Sequence, residues 1–262
     1  MGNPEQLFAV LISEKERRSI SCSGGCTVSD AFVFMALAKV FRPKGIFVIG
    51  NSFGLSTFIL ADLFPESKVD VIDAELEGLD VGAGSALTRQ VASDSFTNVR
   101  LTVGFSPADL RRAMRISKYN LFFVDGLHTN KQMLMDFNGI LPFCDTDCVI
   151  YFHDVASANM LESWETVKKI AQEYGFVSFE LGFTQMGCAV LVRGSADVLE
   201  YFANASDPFI GPYRIGFKVA DLETKLKRPW FWDLTFGHLE RVIKRKIRKI
   251  FGFKIARPST QN

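Results

Sequence analysis

Runs of apolar residues alternate along this chain with segments of helical spacing. The first run, 46–49, is short and continuous, as expected of a parallel strand that is buried on both faces. The later runs are 69–72, 99–103, 121–128 and 148–155, and then 176–183 and 187–194, which are close enough to pair as an antiparallel hairpin. The pattern predicts an α/β fold, with a doubly wound, mostly parallel, seven-stranded sheet closed by the hairpin.

The segments between the strands predict the helices of the winding. An apolar helix over 31–41 follows Ser29 or Asp30, either of which suits the N-cap position. Ser106 is predicted to cap a later helix that has Pro107 at its first position. The other helical segments are 5–18, 56–63, about 86–92, 131–141 and 162–174. Further helices are expected as N- and C-terminal additions to the sheet.

The turn after the first strand carries two glycines. Gly50 and Gly54 bracket a tight bend where the backbone approaches another group closely, and Asn51 and Ser52 lie between them. Asp73 ends the second strand, where one carboxylate can accept both hydroxyls of a nucleoside ribose. The stretch predicts half of a nucleoside-binding crevice. The alternative is an ordinary strand, turn and helix with a solvated aspartate.

Carboxylates and imidazoles gather at the ends of the fourth and fifth predicted strands. Asp125 and His128 follow the fourth strand, and His153 and Asp154 follow the fifth. Ligands of doubly wound sheets bind at the carboxyl ends of the strands, so these side chains and Asp73 are predicted to share one edge. Such a group can bind a divalent cation and supply a base near neutral pH. His128, offset into the loop, is the better base, and His153 is the better ligand.

Composition narrows the class of protein. With 262 residues, of which 48% are hydrophobic, the chain can bury one α/β domain with an appendage. No apolar run approaches the ~20 residues of a membrane span, and the N-terminus lacks the features of a secretory signal. The five cysteines are an odd number, and their CxxxC spacings match neither a zinc nor a redox motif. We therefore expect a cytoplasmic protein with mostly free thiols.

The excess of basic residues lies in the C-terminal segment. From Arg241 onward there are eight Lys or Arg and no Asp or Glu, so the first 240 residues are net acidic. A helix over 241–254 would carry one apolar stripe of Ile243, Ile247, Ile250 and Phe251. Such a helix can lie on an anionic membrane at its inner face or dock on the domain, and both alternatives stay open. Nucleic-acid binding is disfavoured because the acidic remainder would repel phosphates.

Four motifs, together with the closing hairpin, resemble a class I S-adenosylmethionine-dependent methyltransferase. They are VIGNSFGLST, VDVIDAE, FFVDGLHTNKQMLMDF and VIYFHDV. The resemblance is to the group whose fourth strand ends in DGxH and whose fifth ends in HD, which includes O-methyltransferases of natural-product sugars and glycans. We therefore expect an N-terminal helical segment (1–29), an S-adenosylmethionine-binding domain (30–194) and a C-terminal extension with the basic helix (195–262).

The resemblance implies a role for each cofactor residue. The turn over 50–54 would cradle the methionine part of S-adenosylmethionine, and Asp73 would hold the ribose hydroxyls. Ser106 falls where the family lines the adenine pocket. Val48 stands where family members usually have an acidic residue that contacts the cofactor's amino group, and Asp125 is placed to substitute for it.

The resemblance also implies the reaction centre. In macrolide-sugar O-methyltransferases the Asp of DGxH and an acidic pair after the fifth strand hold magnesium, and the His of DGxH is the base. Here this implies His128 as catalytic base, with Asp125 and Asp154 as metal ligands and His153 in the place of the other acidic ligand. Magnesium prefers all-oxygen ligation, so His153 leaves open whether the site takes Mg²⁺, Mn²⁺ or no metal.

Departures from the family motifs define the alternatives. Val48, Ser52 and Leu127 replace residues usual in the family, and the first two motivate the alternative of a catalytically inactive nucleoside-binding protein that keeps the fold. The retained Asp and His pairs favour the O-methyltransferase. An NAD-type dehydrogenase is less favoured because GxSxG lacks the third glycine of its motif. The acceptor, a sugar, glycan or other small molecule, is not encoded, and the aromatic segment 202–232 fits an acceptor wall, a homo-oligomer surface or plain core.

Overall fold

The structure is a computed structural model that describes residues 26–76, 82–184 and 186–209. Its strands are β1 (Gly45–Ile49), β2 (Lys68–Asp73), β3 (Val99–Val103), β4 (Tyr119–Val124), β5 (Cys144–Phe152), β6 (Val177–Leu181) and β7 (Cys188–Arg193). They form one sheet in the order β3-β2-β1-β4-β5-β7-β6. The first five strands are parallel, and β7 is antiparallel to β5 and β6. The predicted doubly wound, seven-stranded sheet with its closing hairpin is confirmed.

Helices pack on both faces of this sheet. They are α1 (Val28–Val40), α2 (Leu55–Leu63), α3 (Ala83–Ser95), α4 (Leu110–Ala113), α5 (Asn130–Ile140), α6 (Leu161–Glu173) and α7 (Ala196–Ala205). Helix α1 packs on α2 and α7, whereas α5 packs on α6. Successive residues of β1 face opposite layers: Val48 joins the cluster that contains Phe34 of α1, and Phe47 packs edge-on against Tyr119. Burial on both faces explains why the strand is a continuous apolar run.

Helix α1 begins three residues earlier than the sequence predicted. Its N-cap is Thr27 rather than Ser29 or Asp30, and the Thr27 hydroxyl accepts the backbone N–H of Asp30. The Asp30 carboxylate in turn accepts the backbone N–H of Thr27 at 2.7 Å. This reciprocal capping box satisfies two backbone donors at the helix start. It also places Asp30 inside the first turn, where its side chain is buried.

The segment after β3 differs from its prediction as well. Ser106 caps no helix, because α4 begins only at Leu110 with Asp109 as its N-cap residue. The Asp109 carboxylate accepts the backbone N–H of Phe105 at 2.9 Å. Residues 106–109, expected to begin a helix, instead form a turn in which the backbone N–H of Asp109 donates to the Phe105 carbonyl at 2.7 Å.

The strand order reverses between β1 and β4. From β1 the chain proceeds to β2 and β3 on one side, and β4 and β5 then lie on the other. Hydrogen bonds continue past the strand ends: Asp125 donates its backbone N–H to Ile49 O, and His153 donates to Val124 O. Ligands of doubly wound sheets bind outside such a reversal. The fold therefore brings the glycine turn and the Asp and His residues to one edge.

The core continues beyond the predicted boundary at residue 194, because Val198 and Phe202 of α7 pack into the same cluster as α1 and α2. The division of the chain into segments stays a prediction. The helices predicted at 5–18 and 241–254, and residues 210–232 of the aromatic segment, lie outside the described residues. In the ranges that the structure describes, no helix combines the length and apolar content that crossing a bilayer requires.

Candidate active site

The turn after β1 requires its two glycines. Gly50 has φ +89°, and a Cβ at this position would lie 2.0 Å from the carbonyl oxygen of Asp125. Gly54 has φ +86°, and a Cβ there would lie 2.6 Å from Thr88 Oγ1. Only glycine adopts this conformation with so little space. The close approach predicted for Gly50 is therefore made to the backbone of β4, and it holds Asp125 directly against the turn.

Asp73 binds the backbone of the glycine turn. Its Oδ2 accepts the N–H groups of Asn51 at 2.6 Å and Ser52 at 3.2 Å, and its Oδ1 accepts the N–H of Glu75 at 2.6 Å. A carboxylate has about four lone-pair sites, so these three bonds leave acceptor capacity for a ligand hydroxyl. The residue predicted to hold a ribose therefore also fixes the turn that is predicted to cradle the rest of the cofactor.

The side chain of Asn51 faces the protein interior. Its amide donates to Thr88 Oγ1 and to Ser52 O, both at 2.9 Å, and its oxygen accepts the Thr57 hydroxyl at 3.1 Å. These bonds tie the turn to α2 and α3. A cofactor contact from Asn51 is thus confined to its backbone. Ser52 has φ +47°, a left-handed conformation that a glycine would adopt more readily.

Asp125, His128 and Asp154 converge at the edge of the sheet. His128 Nε2 lies 3.1 Å from Asp125 Oδ1 and 3.4 Å from Asp154 Oδ2. The His128 side chain is 35% exposed, whereas the two carboxylates are mostly buried. Asp154 has φ +59°, so the turn that presents its carboxylate is itself strained. The arrangement gives a solvent-accessible imidazole backed by two acidic groups.

His153 lies beneath this group and is only 1% exposed. Its Nδ1 lies 3.2 Å from Asp125 Oδ1 and 3.2 Å from Asp154 Oδ1. Its Nε2 lies 3.0 Å from Oδ2 of Asp30, which reaches it from α1. Both ring nitrogens therefore face carboxylate oxygens, which can only accept hydrogen bonds when ionised. The ring must donate from both sides.

The pKa values follow from these contacts. Burial alone lowers the pKa of His153, but hydrogen bonds to Asp125 and Asp30 and their negative charges raise it to about 10. Burial would raise the pKa values of Asp30 and Asp125, yet hydrogen bonds to histidine hold both below their usual range. Burial raises the pKa of Asp154. At neutral pH the interior of the site thus contains an ionised Asp30, an imidazolium and an ionised Asp125.

Comparison with protein-family models finds one match over this part of the chain. Residues 47–155, from β1 to just beyond β5, match the family model described as a methyltransferase domain. This segment of the chain is similar to methyltransferase domains. Together with the sheet order, the match confirms the resemblance to class I methyltransferases that the sequence motifs carry. None of the curated proteins that were compared with the chain matches it significantly.

Solved structures of methyltransferases share the fold of this domain. An O-methyltransferase from Bacillus cereus in complex with SAH has a TM-score of 0.57 and 14% identity, over 74% of this chain and 93% of that one. The O-methyltransferase TomG from Streptomyces achromogenes, involved in tomaymycin synthesis and solved with SAM, has a TM-score of 0.55 and 16% identity, over 74% and 100%. SAH-bound PaMTH1 from Podospora anserina has a TM-score of 0.55 and 13% identity, over 74% and 90%.

The predicted metal set of the methyltransferase domain does not fit a divalent cation. Asp125 and Asp154 offer carboxylate oxygens, but both ring nitrogens of His153 face carboxylate oxygens, a geometry that favours a proton on each nitrogen where a metal ligand needs a lone pair. The sequence placed His153 beside Asp154 without showing that Asp30 lies opposite. Among the described residues, Asp125, His128 and Asp154 also bring ligand-type atoms within 4.8 Å of one another, but a metal there would occupy His128, the predicted base.

Ser106 lies after β3, which is the neighbour of β2 in the sheet. Its carbonyl oxygen accepts a hydrogen bond at 2.9 Å from Gln132 Nε2 of α5. It is therefore on the same edge as Asp73, and its role at the adenine stays a prediction. Val48, which replaces an acidic residue of the family, is fully buried in the core.

Asp30 is a residue of the site for which the sequence predicts only a role in helix capping. Its carboxylate also accepts the Thr27 hydroxyl at 2.6 Å, the Cys188 thiol at 3.3 Å and the Tyr151 hydroxyl. Burial raises the pKa values of Cys188 and Tyr151 well above their usual ranges, so both are neutral donors. A signal for Asp30 existed in the sequence. It shares the helical stripe of the buried apolar residues Val33, Phe34 and Leu37, where a lone acid needs a partner.

Proposed function

We propose that the protein is an S-adenosylmethionine-dependent O-methyltransferase that methylates a hydroxyl of a sugar, glycan or other small-molecule acceptor, with His128 as the base. The observation that carries the proposal is the position of His128 Nε2, 3.1 Å from Asp125 and 3.4 Å from Asp154, at the edge where Gly50 contacts Asp125. An imidazole between carboxylates can take a proton because they stabilise the imidazolium that forms.

The chemistry suits an oxygen acceptor. The bound cofactor would supply an electrophilic methyl group on a positively charged sulfonium, so the protein needs to orient a hydroxyl and accept its proton. His128 takes that proton, and Asp125 and Asp154 offset the charge it gains. The same two carboxylates also favour a cationic ligand at this edge. The expected cofactor contacts are the backbone of Gly50, Asn51, Ser52 and Gly54, with Asp73 at the ribose, Ser106 near the adenine and Asp125 near the amino group.

Exposed apolar side chains support a ligand with apolar surface. Leu76, Phe105 and Leu127 follow β2, β3 and β4, and each is at least half exposed. Their positions place them around the same edge as the polar site residues. Such a rim is suited to the faces of an adenine ring or of the acceptor.

The proposal includes no divalent cation. Of the alternatives that the sequence leaves open, Mg²⁺, Mn²⁺ or no metal, the last agrees best with the hydrogen bonds of His153 to Asp30 and Asp125. A base alone is sufficient chemistry when the electrophile is a sulfonium.

The test has two stages. Thermal unfolding is measured with S-adenosylmethionine, S-adenosylhomocysteine and NAD, and methyl transfer from labelled S-adenosylmethionine is then measured on a panel of hydroxyl-bearing sugars, glycans and phenols. We expect stabilisation by the first two ligands and transfer to at least one acceptor. Cofactor binding without any transfer would favour the inactive nucleoside-binding alternative, and stabilisation by NAD alone would contradict the methyltransferase.

We also propose that the basic segment 241–254 attaches the protein to the cytoplasmic face of an anionic membrane. Support comes from the sequence: its basic residues flank one apolar stripe. A lipid-linked glycan would then be a suitable acceptor. The full chain should sediment with anionic but not neutral vesicles, and truncation after Glu240 should abolish this. Vesicle binding by the truncated chain would contradict the proposal.

A further inference from the structure

Asp125 and Asp154 need a positive charge between them. One oxygen of each carboxylate lies 3.2 Å from His153 Nδ1. Two carboxylates this close repel each other, and without a cation one of them would take up a proton. Mostly buried groups cannot rely on water to weaken that repulsion. Both oxygens lie within ion-pair distance of the same nitrogen of His153, and the oxygen of Asp125 also makes a hydrogen bond with it.

His153 supplies that charge because Asp30 fixes it from the other side. Asp30 is fully buried, and its carboxylate is saturated with donors from Thr27, Tyr151, Cys188 and His153. An oxygen held by so many donors remains an acceptor, so the Nε2 that faces it must carry a proton. Nδ1 faces a carboxylate oxygen as well and must carry the second proton. The geometry therefore favours a doubly protonated, cationic ring.

We propose that Asp30 and His153 are a positioning pair that takes the electrostatic place of a divalent cation, so that Asp125 and Asp154 are held together without a metal. The proposal rests on the proposed function, because it assigns these carboxylates to a methyl-transfer site. The imidazolium orients Asp125 toward His128 Nε2 and keeps Asp154 near the same atom. His128 then remains available as the base, since no metal competes for its ring.

A metal titration tests the absence of a cation site. Mn²⁺ is titrated into the full chain and followed by calorimetry and by the electron paramagnetic resonance of free Mn²⁺. We expect no saturable binding up to millimolar Mn²⁺ in the wild type. One bound Mn²⁺ per chain that is lost in Asp125→Asn would overturn the proposal.

A double variant tests the substitution directly. Asp30→Asn combined with His153→Glu replaces the imidazolium by a third carboxylate and removes the buried charge that would repel it. Three converging carboxylates are oxygen ligands of the kind that hard cations prefer, so we expect Mn²⁺ binding at least ~10-fold tighter than in the wild type. Asp70→Asn, which alters an equally buried carboxylate elsewhere in the sheet, should bring no gain. A folded double variant without the gain would contradict the proposal.

The ring nitrogens of the wild type decide the matter if the double variant does not fold. The chain contains three histidines, and labelling them with ¹⁵N allows each ring to be observed by NMR at neutral pH. We expect two protonated nitrogens with slowly exchanging protons in one ring, and the loss of that ring's signals in His153→Gln. A His153 ring with one unprotonated nitrogen would overturn the proposal.

Cofactor titration of the same sample separates this inference from the proposed function. Binding of S-adenosylmethionine together with a saturable Mn²⁺ site at Asp125 would refute the metal-free pair and leave the methyltransferase standing. No cofactor binding, with a doubly protonated His153, would refute the methyltransferase and leave the cationic pair as a feature of the fold.

Discussion

Two buried carboxylates of this domain have similar surroundings and different consequences. Asp30 on α1 and Asp70 on β2 are both fully buried. Each accepts a hydrogen bond from a tyrosine hydroxyl, Tyr151 for Asp30 and Tyr119 for Asp70. Each also faces a cationic side chain. In burial and hydrogen bonding the two sites are close counterparts.

The cations differ, and so does what they reach. Arg115 donates from Nε to Asp70 at 2.6 Å and from its terminal nitrogen to the carbonyls of Val69 and Asn98. That guanidinium is a planar fork of donors, and its other contacts are backbone carbonyls. His153 donates to Asp30 and turns its second nitrogen toward Asp125. The contacts of the Asp70–Arg115 pair therefore stay within the sheet, whereas those of the Asp30–His153 pair extend to the active site.

The difference shows how a buried ion pair should be interpreted. The desolvation of two buried charges costs about as much free energy as their attraction provides. A buried ion pair by itself is therefore weak evidence for a stabilising role. The second contact of the cation is more informative. For Asp70 it is structural backbone, and for Asp30 it is a carboxylate beside the predicted base. We therefore assign Asp70 to the fold and Asp30 to the positioning of reactive groups.

The largest expected effect is the loss of turnover when His128, the predicted base, is replaced. If His128 is the base, His128→Ala should lower turnover on a working acceptor by on the order of 10²- to 10⁴-fold, with cofactor affinity nearly unchanged. Asp70→Asn should leave turnover of the folded protein within a few-fold of the wild type. Steady-state kinetics with calorimetry of cofactor binding would check both, and full activity of His128→Ala would remove His128 from the mechanism.

The second prediction is that the two carboxylates contribute similarly to stability. Removing one partner of a buried pair leaves an uncompensated charge, so Asp30→Ala and Asp70→Ala should each lower the free energy of unfolding by about 3–5 kcal/mol. Chemical denaturation at neutral pH measures this. Equal losses with unequal effects on activity are what the comparison requires. A stable Asp30→Ala protein with normal activity would contradict the role given to Asp30.

The third prediction is that the free energy of unfolding depends on pH through the Asp30–His153 pair. The pKa of His153 is near 10 in the folded protein and about 6.5 in the unfolded chain, so its contribution to stability is complete below about pH 6.5 and is lost as pH rises toward 10. Asp30, Asp125 and Asp154 are the acidic groups that face this ring, and the pKa values of Tyr151 and Cys188 are raised, so both stay neutral.

Unfolding free energy measured from pH 6.5 to 10 should therefore fall more steeply in the wild type than in Asp30→Asn. The slope for one titrating group is at most about 1.4 kcal/mol per pH unit. Asp70→Asn should retain the wild-type slope, because the contacts of Asp70 with Arg115 do not involve His153. Identical slopes in all three proteins would argue against a charged His153.

The sequence is sufficient to predict the sheet and the edge at which the site lies, but not the contact between Asp30 and His153. Apolar runs and short connections predict the strands, and the topology of such sheets brings Asp125, His128, His153 and Asp154 together. Asp30 and His153 are 123 residues apart in sequence, and no local pattern shows which helix packs over which strand end. For that reason the sequence alone predicts His153 as a metal ligand, and only the packing of α1 shows that both of its ring nitrogens face carboxylate oxygens.

Cofactor binding is expected at the edge formed by β1, β2 and β4. Two aspartates of β2 provide the test, because Asp73 holds the N–H groups of Asn51 and Ser52 in the cofactor turn, whereas Asp70 faces Arg115. We expect calorimetry to show S-adenosylmethionine binding to the wild type, unchanged affinity in Asp70→Asn and affinity weaker by on the order of tenfold to a hundredfold in Asp73→Ala. No binding to the wild type, or unchanged affinity in a folded Asp73→Ala protein, would contradict the account.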